Sequence, residues 1–211
     1  MFTTRPELRG TFGMVASTHW LASQAGMAAL ERGGNAFDAA VAAGFALQVV
    51  EPHLNGPGGE VPILLARAAS GRIEGICGQG VAPAKATIAH YRSLGLDLVP
   101  GSGLLAAVVP GAFDAWMLML LDYGTMRPRD VLEYAIDFAR TGYPLVDRIS
   151  ETIASVETLF HREWPSSAAL YLPGGAVPKP GALFRNPVLA DTYERILREA
   201  EAAGSSREAE I

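Results

Sequence analysis

Cysteine is almost absent. Cys77 is the only one in 211 residues, which excludes a disulfide within the chain and fits any compartment. Positive charge is scarce as well. Seventeen Lys and Arg stand against 22 Asp and Glu, a formal net charge of −5, and no basic run occurs. That composition lacks the electrostatic footprint of a nucleic-acid binder. The longest apolar run, Ala39 to Leu47, falls well short of the roughly 20 residues that span a bilayer. Met1 to Leu8 shows no charged stretch followed by an apolar one, so no signal peptide is expected. A soluble chain, cytoplasmic by default, is the resulting expectation, with no membrane and no nucleic acid among its partners. A periplasmic or secreted protein fits the composition too. His19, His53, His90 and His161 form no His-x-x-x-His, and no Cys-x-x-Cys occurs. Neither a metal nor a cofactor is expected.

Apolar residues are plentiful, at 49%, enough to bury a sizeable core in one large domain or part of a bigger one. Gly13 to Ser17 reads as a short buried strand. His19 to Arg32 reads as a helix stopped by Gly33-Gly34. Asn35 suits the N-cap of a second helix, Ala36 to Val50, with Asp38 in its first turn and Pro52 beyond its end. That helix is apolar on nearly every side, as an interior helix is. Val61 to Arg67 and Ile73 to Gly78 read as a hairpin around Ala69-Ser70-Gly71-Arg72. Both strands are mostly apolar, which predicts a sheet covered on both faces. Helices are predicted over Ala112 to Tyr123, Arg129 to Thr141 and Arg148 to His161, and Trp164 to Pro180 reads as a long surface loop. Asn186 and Pro187 open a last long helix that Gly204 ends. Ser205-Ser206-Arg207-Glu208 then announces another helix with only three residues to follow. The expectation is a chain cut within a domain, with a frayed polar tail as the plainer reading.

The residues alone carry little chemistry. Gly56-Pro57-Gly58-Gly59 is not followed by Gly-Lys-Ser/Thr, so it reads as a sharp turn with close backbone approach rather than a phosphate loop. Cys77 and His53 could form a nucleophile and base. A lone Cys in an apolar strand is ordinarily a small buried hydrophobe. Glu51 and Glu60 flank the glycine cluster. Paired carboxylates can act as acid and base, but an acidic residue at a helix end is more often solvated or bonded to backbone.

The order of motifs says more. Gly13-Met14-Val15-Ala16-Ser17, Leu21 to Gly26, Gly33-Gly34-Asn35-Ala36-Phe37-Asp38-Ala39-Ala40-Val41-Ala42-Ala43 and Val50-Glu51-Pro52-His53 come first. Gly56-Pro57-Gly58-Gly59, Ala82-Pro83-Ala84 and Val109-Pro110-Gly111 follow. From about Gly13 to Leu197 the series resembles the N-terminal part of the large subunit of γ-glutamyltransferases (γ-glutamyl transpeptidases). The resemblance implies an α+β fold, an N-terminal nucleophile hydrolase αββα sandwich that is incomplete in this chain. Residues 1–211 would be one N-terminal piece, with a strand and glycine-turn part at about 10–80 and a mainly helical part at about 110–211. It implies a precursor that cuts itself, so that the partner is a small subunit or C-terminal remainder of the same precursor. The nucleophile would be that subunit's N-terminal Thr. Thr3, Thr4, Thr11 and Thr18 do not match the motif, so no catalytic residue is expected in this chain, which alone should be inactive. A non-catalytic remnant of the fold is the alternative from another class.

One departure bears on substrate. The resemblance implies an Arg followed by Glu before Ala-Pro, the Arg holding the α-carboxylate of a γ-glutamyl group. Here Gln79 stands at the Arg position and Gly80 at that of the Glu. A neutral amide lacks the charge-assisted bidentate bond of a guanidinium. The loss costs about 1.5–3 kcal/mol, or about 10–150-fold in binding. Gln79 is therefore the candidate substrate-binding residue. The expected small-molecule substrate is a γ-glutamyl amide or another acyl amide.

Overall fold

The computed structural model describes residues 7–211, so Met1 to Pro6 and most of the stretch read for a signal peptide lie outside the described residues. Helix α1 (Trp20–Glu31) begins at His19, whose ring accepts the Leu21 N–H at 3.2 Å. Gly33 follows at φ +91, a conformation that favours glycine. Helix α2 (Ala36–Val50) has the predicted bounds. The Asn35 side chain accepts from the Phe37 and Asp38 amides, and Asp38 reaches back to the Asn35 amide at 2.7 Å, closing a capping box.

The chain forms two compact units, residues 1–55 with 119–211, and residues 56–118. In the first, α2 is buried between α1 and α5 (Pro128–Thr141), and α5 packs on α8 (Pro187–Ala203). Gly26 permits the α1–α2 approach, since a Cβ there would meet the Ala39 carbonyl oxygen at 2.9 Å. Inside, the Tyr193 hydroxyl donates to Gln48 Oε1 at 2.7 Å, and the Tyr193 ring sits edge-on to Phe45. Helix α6 (Asp147–Glu163) follows a short strand β3 (Tyr143–Pro144), which pairs with β4 (Leu183–Phe184).

Trp164 to Pro180 is not the loop expected. Helix α7 (Pro165–Tyr171) occupies its first half. Pro165 takes the first helical position, and the Tyr171 ring stacks on Phe184 at 5.7 Å. Gly13 to Ser17 is also corrected. It is half-buried in alternation, and no strand pairs with it among the described residues.

The second unit holds the hairpin β1 (Val61–Arg67) and β2 (Arg72–Gly78) with a short exposed helix α3 (Ile88–Ser93) and the start of α4 (Ala112–Tyr123). Arg67 pairs with Arg72 across a turn where Gly71 has φ +65. The register puts Val61, Ile63, Leu65, Glu74, Ile76 and Gly78 on one face. The other face carries Leu64, 84% exposed, and Ile73, 77% exposed. Among the described residues the sheet is thus not covered on both faces. Cys77 shares the outer face and is exposed, not the buried hydrophobe expected. Among the described residues no helix is long and apolar enough to cross a membrane.

Asp38 ties the first unit together. It is fully buried. Besides the Asn35 amide it accepts from the Thr125 amide (2.8 Å), the Thr125 hydroxyl (2.7 Å) and the Met126 amide (3.0 Å). Asp38→Ala strands three backbone amides, each worth about 1–3 kcal/mol. The expected loss is about 3 kcal/mol or more in the complete protein, read as a lowered denaturant midpoint at unchanged slope. Asp38→Asn should lose less.

Candidate functional site

The glycine cluster and the end of β2 meet within the second unit. Gly59 turns back on Gly56, its amide donating to the Gly56 carbonyl at 3.0 Å. The Gly59 carbonyl then accepts the Gly111 and Ala112 amides at 3.2 and 3.1 Å. These amides open α4, and helix N-terminal donors otherwise lack partners. A carbonyl satisfies them here, so the cluster caps a helix and offers no phosphate cradle.

The same contact pins the exit of β2. The Val109 amide donates to the Val81 carbonyl at 3.0 Å. A Cβ on Gly80 would stand 1.6 Å from the Val109 carbonyl oxygen. A Cβ on Gly111 would stand 2.6 Å from the Gly78 oxygen, and one on Gly78 would stand 2.4 Å from the Val61 oxygen. Backbone lies against backbone at all three positions, so none accepts a side chain without a shift of the main chain. Gln79, between two of them, is exposed, with its Oε1 4.0 Å from Cys77 Sγ. Cys77 therefore finds an amide as its polar neighbour.

The first unit holds a separate polar cluster at the far end of α2. Glu51 is the C-cap of α2 and is buried. It accepts a hydrogen bond from the Thr18 hydroxyl. Glu60, the other acid flanking the glycine cluster, is exposed, as the solvated reading has it, and belongs to the second unit. His19 is buried and stacks on Trp20 at 4.1 Å. His19 Nε2 and His53 Nδ1 are buried without hydrogen-bond partners. Burial pushes the pKa of His19 down, against the attraction of Glu51 and with the help of His53. Burial also lowers His53, opposed by Glu51 and aided by Arg148. With its Nδ1 accepting from Leu21, His19 serves as a neutral cap. The Thr18–Glu51 bond spans 33 residues, and no spacing in the sequence announces it. Among the described residues no group of three or more His, Cys, Asp or Glu side chains could hold a metal ion.

Its solved structural neighbours place the chain in the N-terminal nucleophile hydrolase class. Within that class the chain belongs to the gamma-glutamyltranspeptidase family, whose model matches residues 22–203. It is 37% identical over 196 residues to the glutathione hydrolase-like YwrD proenzyme of Bacillus subtilis, covering 92% of this chain and 37% of the relative. It is 38% identical over 204 residues to the acylase ACY 1 proenzyme of Pseudomonas sp. (strain V22), covering 92% and 36%. Among solved structures, LmbA2991HD aligns at a TM-score of 0.94 and 61% identity, over 100% of this chain and 36% of that one. Helicobacter pylori gamma-glutamyltranspeptidase aligns at 0.85 and 33% identity, over 97% and 60%. The chain thus spans little more than a third of the length of these curated relatives.

The lowered histidine pKa values fix a pH dependence. A base held neutral by burial leaves the unfolded chain binding more protons, so stability is complete above the ordinary value of 6.5 and falls as pH drops below it. The denaturant midpoint of the complete protein should decline between about pH 7.5 and about pH 5.5. His19→Asn keeps a capping acceptor and removes one titrating group. Its decline should be shallower, and an equal slope would assign the effect to other groups.

Proposed function

We propose that the complete protein transfers or hydrolyses an acyl amide, of the γ-glutamyl type or a related one, through the N-terminal Thr of a second chain from the same precursor. The match of residues 22–203 to the gamma-glutamyltranspeptidase family carries this reading. The present chain is the N-terminal part of the large subunit, contributes Gln79 to the substrate site and is inactive alone. In the reaction the Thr hydroxyl oxygen bonds to the acyl carbon, and the Thr amine takes the hydroxyl proton and passes it to the departing nitrogen. The C–N bond breaks. Water or an amino acceptor then takes the acyl group and frees the hydroxyl.

Two further observations support the reading. The matched relatives YwrD and ACY 1 bear the word proenzyme in their names. The outer face of the hairpin presents Leu64 and Ile73 to solvent, an apolar surface of the kind a partner covers. The remainder of the precursor is the proposed cover.

The test is the intact mass of every polypeptide in the purified full-length protein, with N-terminal sequencing of each. The expected result is two chains, the second beginning with Thr. A single unprocessed polypeptide would overturn the reading and favour a remnant of the fold that binds without catalysis.

A further inference from the structure

We infer that Gly13 to Thr18 is an open strand edge, and that an extended segment from the remainder of the precursor pairs with it in the complete protein. The inference rests on the same-precursor partner proposed above and says where that partner docks.

The segment belongs to the first unit and lies on α1. Gly13, Val15 and Ser17 are half-buried, and Met14, Ala16 and Thr18 are exposed. That is the period of two of an extended chain. The inward residues meet α1 in reverse order. A Cβ on Gly13 would stand 2.9 Å from Leu30 Cδ1, and one on Gly26 would stand 2.8 Å from Val15 Cγ1. The Ser17 and Ser23 hydroxyls are 2.8 Å apart. From Ser23 to Leu30 a helix rises roughly 10 Å. From Gly13 to Ser17 an extended chain covers roughly 13 Å, and a helical one would cover only about 6 Å. Side chains thus anchor one face of an extended segment. Its main chain is not anchored: among the described residues, no backbone amide or carbonyl from Gly13 to Thr18 is hydrogen-bonded.

Helix α1 uses its own backbone groups internally and has none to lend. The donors and acceptors of the segment are left to water or to another extended chain. Open strand edges are ordinarily guarded by Lys, Pro or inward-pointing charge. Gly13 to Thr18 contains no Lys, Pro or charged residue. The exposed side adds Met14, 57% exposed, together with Phe12, 69% exposed, a surface that suits an apolar or β-branched cross-strand neighbour. Main-chain bonds along such an edge, with side chains alternating beside them, are the mode by which an extended segment adds to a sheet. A second copy of the chain offers one such segment. The remainder of the precursor is the better match. This chain covers only 37% and 36% of two curated relatives, and a segment made in the same polypeptide meets the edge at a raised effective concentration.

Hydrogen exchange, read amide by amide on the full-length protein as purified, tests the pairing. Successive amides of a strand point to opposite edges. Met14 and Ala16 therefore report one edge, Val15 and Ser17 the other. At least one of these pairs should exchange about 100-fold or more slower than in the free peptide. Exchange of all four within about tenfold of the free peptide overturns the inference. Photo-methionine in place of Met14 then identifies the neighbour. The cross-linked peptide should come from sequence beyond Ile211 of the same precursor. A cross-link within residues 1–211 overturns the inference. So does one that joins labelled to unlabelled protein in an isotope mixture, which assigns the edge to a second copy. An uncut full-length polypeptide overturns the acyl-transfer reading, while its exchange pattern still decides this one.

Discussion

The buried carboxylate of Asp38 is the constraint on which the first unit depends. A carboxylate without water is unfavourable unless donors surround it. Three backbone amides and one hydroxyl meet it, two of the amides and the hydroxyl from Thr125 and Met126. The turn between α4 and α5 must therefore lie over the first turn of α2. The Asn35 side chain adds a bond to the Tyr123 carbonyl at 2.7 Å. Two glycines leave room. A Cβ on Gly34 would stand 2.5 Å from Met126 Sδ, and one on Gly124 would stand 2.5 Å from Asp38 Oδ1. The Gly-Gly-Asn-Ala-Phe-Asp block is thus a structural joint.

Both ends of α2 carry a buried acid, in opposite electrostatic settings. Asp38 lies at the positive end of the helix dipole and gains from it. Glu51 lies at the negative end, where a carboxylate is disfavoured. The Thr18 hydroxyl offsets part of that, and it also fixes the chain just before α1. Glu51 draws protons toward His19 and His53, yet burial outweighs it and lowers both. The polar groups at this end hold helix ends in register, and burial favours the neutral form of the two histidines. This is the behaviour of a joint.

Elements with local signals were legible in the sequence. Asn35 and Pro52 bound α2, and Asn186, Pro187 and Gly204 bound α8, because capping chemistry acts within a few residues. Ser206 likewise caps the short α9 (Arg207–Glu210). Pro and Gly misled at Trp164 to Pro180, where Pro165 begins a helix and aromatic stacking on Phe184 holds it. Helix α3 escaped notice because none of its residues is buried, so no apolar face marks it. The outward face of the hairpin is apolar in sequence, and apolar character alone cannot say which chain covers a strand. Long-range pairs had no local trace at all. Gln48 and Tyr193 lie 145 residues apart, and the Val109 carbonyl reaches Gly80 only through the fold. Gln79 stood out only against the resemblance to a family with Arg there.

The two departures at Gln79 and Gly80 are physically one. A guanidinium requires an acidic neighbour or a ligand carboxylate only where it is taken out of water. The position next to it in the chain is where the resemblance implies that acid. Here the Val109 carbonyl oxygen fills that space, and a carbonyl cannot supply a full negative charge. With no acid at 80, a cation at 79 would depend on water or on Glu60, which the hairpin register sets opposite Gln79. Replacing the pair by an amide and a glycine removes both charges together. The backbone approach of Val109 to Gly80 thus rules out an acid at 80 whatever side chain stands at 79.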